Sequence, residues 1–521
     1  MMGFVGQTYS IPCDRGGLNG NYNIDLVPPE AMIAPSRNIN LHRGGREKRG
    51  GTAHVNTTAL SGTPQVNSVF DYWQKDGTRY VMLGSNDGKI WKNFIDTIKT
   101  GWASSKKAAF EVFDNKLYVC NGSNTPFYWD GTTLTDMTSI PSDWTGTNFP
   151  SQFIKHGFGN SERLWAIGCL GTATTAYRIY ASKNGDATDF SDANVVTLEL
   201  NTADYGGIVG AVEYGDRLIL FSSRHSFIID DTDASVANWG YQSSIWEGGA
   251  AHQRLIVRTP NDIICMMEDG EIYSIMAAEN YGDYKQASLT RPSFIHNWIK
   301  DNVKLSEIDS FHAVYDPVMR AIKIFVMRNG QTQIDTALVY FTDRDPKEAW
   351  GVHDNQSYDS GYSACSSGVV RVSAGDYRVY TGDYDGFVWN METTNRNDNN
   401  NGYYAGFKTA PLPLENPRVK KRFKEGRVVI TPQGSFDLSY KWWVDGTYQG
   451  TGTISQAGAG TVLGTFVLDT DSLRGGELLD SSFVLGNLGK RIQLEIYNTN
   501  ANQSFFVSQL MIDFVPLGAM P

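Results

Sequence analysis

Long apolar runs are missing from this chain of 521 residues, and none approaches the roughly 18 consecutive apolar residues that a membrane helix requires. No membrane anchor is therefore expected. The start, Met1–Asp14, also lacks the basic end and apolar block of an export signal, so export by a cleaved signal is not expected and any extracellular life is reached by another route, such as cell lysis. Cysteine is scarce: Cys13, Cys120, Cys169, Cys265 and Cys365 are odd in number and far apart, so they provide neither a disulfide framework nor a metal knuckle. They are expected to be reduced core thiols. The histidines, His42, His54, His156, His225, His252, His296, His312 and His353, show no HxH or HExxH spacing, and no metal or other cofactor is implied. A phosphate-cradling GxxxxGK[ST] loop is absent, and Ser222–Ser226 lacks the G-x-S-x-G frame of a nucleophile elbow. Excess positive charge is missing as well. With 45 Lys and Arg against 56 Asp and Glu the net charge is −11, so the chain as a whole repels phosphate backbones. Among so many carboxylates no pair stands out as a glycosidase dyad, and the chain is not expected to be an enzyme.

What is present points to strands. The 53 Gly, 26 Tyr, 25 Phe and 13 Trp favour turns and β-structure over long helices. One unit recurs: a β-rich run, an Asp-Gly turn and a second run ending in Trp or Tyr, as in Val81–Trp91, Ile263–Tyr273 and Val379–Trp389. Gly tolerates the positive φ of a tight hairpin turn, so each unit predicts a hairpin, and hairpins repeated at this density predict propeller blades. The fold class expected is all-β: a β-propeller of six or seven blades over residues 52–404, preceded by an extended N-terminal arm over 1–51 and followed by a C-terminal β-sandwich, 405–521, docked on the propeller. Only Ser293–Val303 carries a helical apolar stripe, through Phe294, Ile295, Trp298 and Ile299, and it is expected to pack over a blade edge. Thr393–Gly402, apolar-free and rich in Asn, is expected to be a solvated loop. The arm offers little apolar surface, so a chain lacking Met1–Gly50 is expected to keep a folded propeller.

Two basic clusters interrupt the acidic background. The first holds Arg37, Arg43, Arg46, Lys48 and Arg49, with His42 among them; the second holds Arg418, Lys420, Lys421 and Arg422, continuing to Lys424 and Arg427. Such clusters face DNA, an acidic protein surface or solvent. They are the candidate partner-binding residues.

The arm also carries a resemblance. Ile24–Ala31 (IDLVPPEA), then Asn38–Leu41 (NINL), then Gly44–Gly50 (GGREKRG) resembles the opening of the head-completion, packaged-DNA-stabilising and tail hub or nozzle proteins of short-tailed bacteriophages. Tyr180–Phe190 (YASKNGDATDF) and Gly206–Asp230 are similar to mid-chain segments of the same group. The resemblance runs from about Ile24 to the last strand and rests on the order of the motifs. It implies a virion structural protein of the tail or neck, made in the host cytoplasm. It further implies a homo-oligomeric ring, a hexamer, below the portal and adaptor proteins and beside other tail proteins. DNA would pass through its channel without tight binding. The rival reading is a carbohydrate-binding or glycoside-cleaving propeller presenting aromatics such as Trp442-Trp443 and Tyr403-Tyr404.

Overall fold

The computed structural model describes residues 6–42, 44–157, 162–200, 206–233, 235–243, 248–275, 288–355, 359–434, 436–456 and 478–517. Among them the recurrent turn unit builds blades in one particular way. In all three quoted examples it joins the second and third strands of a blade: Arg79–Ser85 to Ile90–Lys92, Ile263–Met266 to Ile272–Ser274, and Asp376–Gly382 to Val388–Thr393. The terminal Trp has a bonding role in two of them. The Trp91 indole N–H donates to Ser85 Oγ at 2.8 Å, and the Trp389 indole N–H donates to Asp383 Oδ2 at 2.9 Å. A polar side chain at the end of one strand thus takes the buried indole proton six residues on, so the hairpin is closed by its side chains as well as by its turn. Gly88, at φ 77°, makes the first turn: a Cβ there would meet the Trp102 carbonyl oxygen at 2.1 Å.

Seven such sheets form the propeller among the described residues, six with four strands and one, Ile256–Arg258, Ile263–Met266 and Ile272–Ser274, with three. The innermost strands are Val66–Trp73, Ala109–Phe113, Gln152–His156, Ile208–Tyr214, Ile256–Arg258, His312–Asp316 and Ser366–Ser373. Each lies beside the next, and the last packs against the first, closing the ring. The seventh blade takes its outermost strand, Gly51–His54, from the other end of the chain, antiparallel to Val388–Thr393. The ring is therefore latched by a strand from before the first blade, which leaves no free edge at the seam.

The segment expected to be an extended arm is instead part of the sandwich. One sheet runs Ile39–His42, Gly45–Lys48, Phe506–Pro516, Lys421–Thr431, Leu479–Val484, with Gln7–Pro12 paired in register along Phe506–Pro516. The other runs Met32–Arg37, Ala405–Thr409, Ile492–Asn498, Asp437–Val444, Thr447–Ser455. Both sheets thus need strands from the first fifty residues. Ile11, Cys13, Leu18, Met32, Ile39 and Leu41 are buried in one continuous core with residues of the last three blades and of the sandwich. The arm escaped the sequence reading because its strands are short and many of its inward positions are polar.

The helix spans Ile295–Asn302 and buries Ile295 and Ile299, but the other two residues of the expected stripe do not join them: Trp298 is partly buried, and Phe294 precedes the helix and is exposed. It packs on the turn of the three-stranded blade, where a Cβ on Gly270 would meet Ile299 at 2.9 Å. All five cysteines are buried and unpaired.

Candidate functional site

The first basic cluster folds inward. Arg43 lies outside the described residues. Arg46, Lys48 and Arg49 are each fully buried, which removes them as partner-binding groups. The Arg46 guanidinium donates to the carbonyls of Arg15 and Gly16 at 3.1 Å and to that of Glu30, and lies over the Phe407 ring. Lys48 Nζ donates to Asn498 Oδ1 at 3.1 Å and to the Asn500 carbonyl at 2.7 Å. Burial, followed by the neighbouring Arg49 charge, pushes the Lys48 ammonium down to about 7. Arg49 makes a bidentate pair with Asp398, at 3.0 and 2.6 Å, between the rings of Tyr403 and Tyr362. Burial opposes its charge, but the adjacent Asp398 carboxylate overrides that cost and holds the proton more firmly than usual. Arg37 is the one half-buried member, ion-paired to Asp354 at 3.3 Å and stacked over Tyr404.

These cations form a clasp between propeller and sandwich. Asp398 belongs to the Asn-rich loop expected to be solvated, yet it is fully buried: Arg49, Thr52 Oγ1 at 3.0 Å and Asn355 Nδ2 at 2.7 Å all donate to it. A loop of side chains with so much hydrogen-bonding capacity can enter a core when a buried guanidinium is there to be met. Nearby, Glu392 accepts from the Gly50 N–H at 2.7 Å and pairs with the fully buried Lys323 at 3.2 Å; Lys323 also pairs with Asp316 at 3.2 Å. A bulge between Asn390 and Thr393 re-aims Glu392 toward this network. Burial acts against its charge, but Lys323 first, with Arg49 and the Gly50 N–H, holds its carboxyl down to about 2. Burial drives the His353 imidazole down to about 3, so the ring is neutral. Its Nε2 lies 3.2 Å from the Ile39 carbonyl, tying blade six to the arm. Asp316, Lys323, Asp354, Glu392 and Asp398 are scattered over some eighty residues with no shared motif, and the sequence reading missed them all.

The second cluster faces out. On the strand Lys421–Thr431 burial alternates, so Phe423 points to the core while Arg422 and Lys424 are exposed; Arg418 and Lys420 are exposed just before it. Lys421 is the exception: buried, it donates to the carbonyls of Asn416, Val419 and Lys490. Arg427 is half-covered by Asp513 and Asp480. The structure therefore leaves Arg418, Lys420, Arg422 and Lys424 as a solvent-facing basic ridge. The aromatics offered for sugar binding are internally engaged. Tyr403 covers Arg49, Tyr404 stacks on Tyr497, Trp442 donates to Asn487 Oδ1 at 2.9 Å, and Lys408 Nζ lies 3.6 Å from the Trp443 ring centre.

The bore of the propeller is a cavity of about 580 Å³ walled by the seven inner strands. Where those strands begin, Lys107 and Arg254 line it, with His252 and His312 close by; toward the strand ends come Glu111, Lys155, Glu213 and Arg258. Burial pushes the Glu111 carboxyl up to about 7. Glu213 sits 3.3 Å from His156 and 3.8 Å from Arg258, and Lys155 pairs with Glu162 at 2.9 Å. Among the described residues no three His, Cys, Asp or Glu converge as a metal site.

No protein-family model matches the chain, and no curated protein matches it in sequence. Its structure is similar to several solved ones. The WD40 domain of Neurospora crassa Pan2 aligns at 8% identity and TM-score 0.37, over 67% of this chain and 96% of that one. BamB from Moraxella catarrhalis aligns at 11% and 0.34, over 70% and 96%, and YCF48 from Cyanidioschyzon merolae at 13% and 0.36, over 66% and 98%. With overlaps this loose, the propeller rests on the strand pairing above, and the chain is an all-β protein of propeller and sandwich.

Proposed function

We propose that this chain is a structural subunit of a bacteriophage virion, a tail hub or nozzle protein. Copies of it form a ring below the portal and adaptor proteins, around the channel through which the genome is retained and then leaves. The observation that carries the reading is the weave. Strands from both ends of the chain share one sheet, that sheet is bonded through Arg49–Asp398 and Gly50–Glu392 to the seventh blade, and the blade is itself latched by Gly51–His54. A subunit tied in this way resists being pulled apart along the direction of its termini, as a ring under the internal pressure of packaged DNA requires. The basic ridge of Arg418, Lys420, Arg422 and Lys424 on a chain of net charge −11 suits contact with an acidic neighbouring subunit, while the acidic remainder repels passing DNA.

Negative-stain imaging of the purified chain, alone and mixed with a portal-adaptor complex, tests the proposal. Rings or a co-assembly are expected. A persistent monomer that does not bind the adaptor would sink it, and specific glycan retention on an array would favour the carbohydrate reading instead.

A further inference from the structure

The basic ridge is apolar as well as basic. Leu488 stands directly opposite Arg422 on the neighbouring strand and is 58% exposed, and half-buried Val515 flanks Arg422 from the other side. The Leu517 N–H donates to the Lys420 carbonyl at 2.9 Å, and its side chain is 43% exposed. Val484, 76% exposed, is paired with Glu425, the residue after Lys424, and the Leu485 N–H donates to the Lys424 carbonyl at 3.0 Å. Residues opposite each other on antiparallel strands point to one face. Lys420, Arg422 and Lys424 thus each have an exposed aliphatic neighbour on the outer face of the sandwich. The charges are unanswered as well. Among the described residues Arg418, Lys420, Arg422 and Lys424 have no carboxylate within ion-pair distance, whereas Arg427, further along the same strand, is paired with both Asp513 and Asp480.

Water answers such charges and leaves the aliphatic side chains wet, and a phosphate backbone answers them without offering apolar surface. A surface that sets carboxylates among apolar side chains answers both. A second copy of this chain supplies one, because its net charge is −11 and, with four cations gathered on the ridge, the rest of it is more acidic still. An anionic bilayer would repel that acidic remainder. Two ridges cannot face each other, since like charges would meet across the contact. The partner face is therefore a different one, and contacts between unlike faces close into rings where two-fold contacts stop at dimers. On the basis of the ring proposed above, we propose that this ridge is one half of a head-to-tail contact between copies of the chain. Its cations meet carboxylates of the next copy, and Val484, Leu488 and Leu517 form the dry part of the contact.

Sedimentation velocity of the full chain, alone and with the portal-adaptor complex, at low and at high salt, tests it. The wild type should associate beyond a dimer. Arg422→Ala should weaken association mainly at low salt, while Leu488→Asn should weaken it at both, by at least about tenfold, the scale of one buried leucine. The double variant keeps the opposite face and can still receive a wild-type ridge, so an excess of it should cap wild-type assembly and shorten the oligomers. Both side chains are exposed, and circular dichroism checks that the variants are folded. Oligomers of the double variant as large and as tight as those of the wild type would overturn this contact and leave the ring standing, and so would a double variant that fails to cap. A wild type that stays monomeric with and without the adaptor would overturn both. Ridge-dependent sedimentation with phosphatidylcholine–phosphatidylglycerol vesicles, with self-association unchanged in the double variant, would assign the face to a bilayer and overturn the contact between copies.

Discussion

The two basic clusters look alike in sequence and meet opposite fates. Around Arg46, Lys48 and Arg49 the neighbours are Gly44, Gly45, Glu47, Gly50 and Gly51, so no apolar side chain is at hand to take the inward positions of the strand Gly45–Lys48, and the cations take them. Around Arg422 and Lys424 the alternating residue is Phe423, which takes the core and turns the charges out. A strand places every second side chain inside whatever its chemistry. The comparison teaches that a basic run predicts a docking surface only when apolar residues alternate with it; without them it predicts buried cations and, somewhere in the chain, their acceptors.

The largest break in this comparison is removal of the first cluster altogether. Deleting Met1–Gly50 takes four strands from the sandwich and six side chains from the shared core, and it leaves Asp398 and Glu392 buried without their partners from that segment. Each large apolar side chain lost is worth about 1.5–3 kcal/mol, so Ile11, Leu18, Met32, Ile39 and Leu41 alone come to about 8–15 kcal/mol, as much as the roughly 5–15 kcal/mol margin of a folded protein. The truncated chain should be aggregated or unfolded by circular dichroism, contrary to what the polar composition of the arm suggests. A cooperative melt near the wild-type temperature would show that the arm is dispensable.

Next in size is a single change at the clasp. Arg49→Met removes the guanidinium and leaves the Asp398 carboxylate in the core with only Thr52 and Asn355 as donors. Breaking a buried pair on one side costs about 3–5 kcal/mol, which urea unfolding would read as a lower midpoint at unchanged slope. The double variant Arg49→Met with Asp398→Asn should recover part of that loss. Equal destabilisation by single and double variants would mean that packing between Tyr362 and Tyr403, rather than charge, is what Arg49 supplies.

How much of this was legible in the sequence follows from the range of the signals. The hairpin units, the blade-building strands and the helix over Ile295–Asn302 are written in local patterns, where turn residues and apolar periodicity act over ten residues or fewer. The seam strand Gly51–His54 and the pairing of Gln7–Pro12 with Phe506–Pro516 are not, because their partners lie hundreds of residues away and no local pattern names them. Buried charge hides for the same reason. Arg49 looks like a surface residue until Asp398, 349 positions on, comes to meet it. The bore cations Lys107 and Arg254 come together only once the ring closes and brings Asp309 between them.

An acid titration sharpens the comparison further. The folded Glu392 carboxyl lies at about 2, below its ordinary 4.5, so its contribution to stability is fully present above pH 4.5 and is lost as pH falls toward 2. A shift of this size corresponds to about 3 kcal/mol. Glu392→Gln should therefore be destabilised most at neutral pH, and its deficit relative to wild type should shrink over that window as Glu392 itself becomes protonated. A deficit constant from pH 7 to pH 2 would mean that the side chain acts by shape rather than by charge.

The smallest effect on stability belongs to the outward cluster. Arg418→Ala, Lys420→Ala, Arg422→Ala and Lys424→Ala each remove an exposed charge, and surface changes of this kind usually stay within about 0.5 kcal/mol, so the melting temperature should barely move. Assembly should respond differently. If the ridge contacts an acidic neighbour, the quadruple variant should form rings or adaptor complexes more weakly at low salt, and the gap to wild type should close as ionic strength rises and screens the contact. Sedimentation at two salt concentrations reads this directly. Unchanged assembly at both would make the ridge a solvated sheet rim, and would move the search for the subunit contact to the exposed apolar turn around Tyr22, Ile24 and Leu26 on the other side of the sequence comparison.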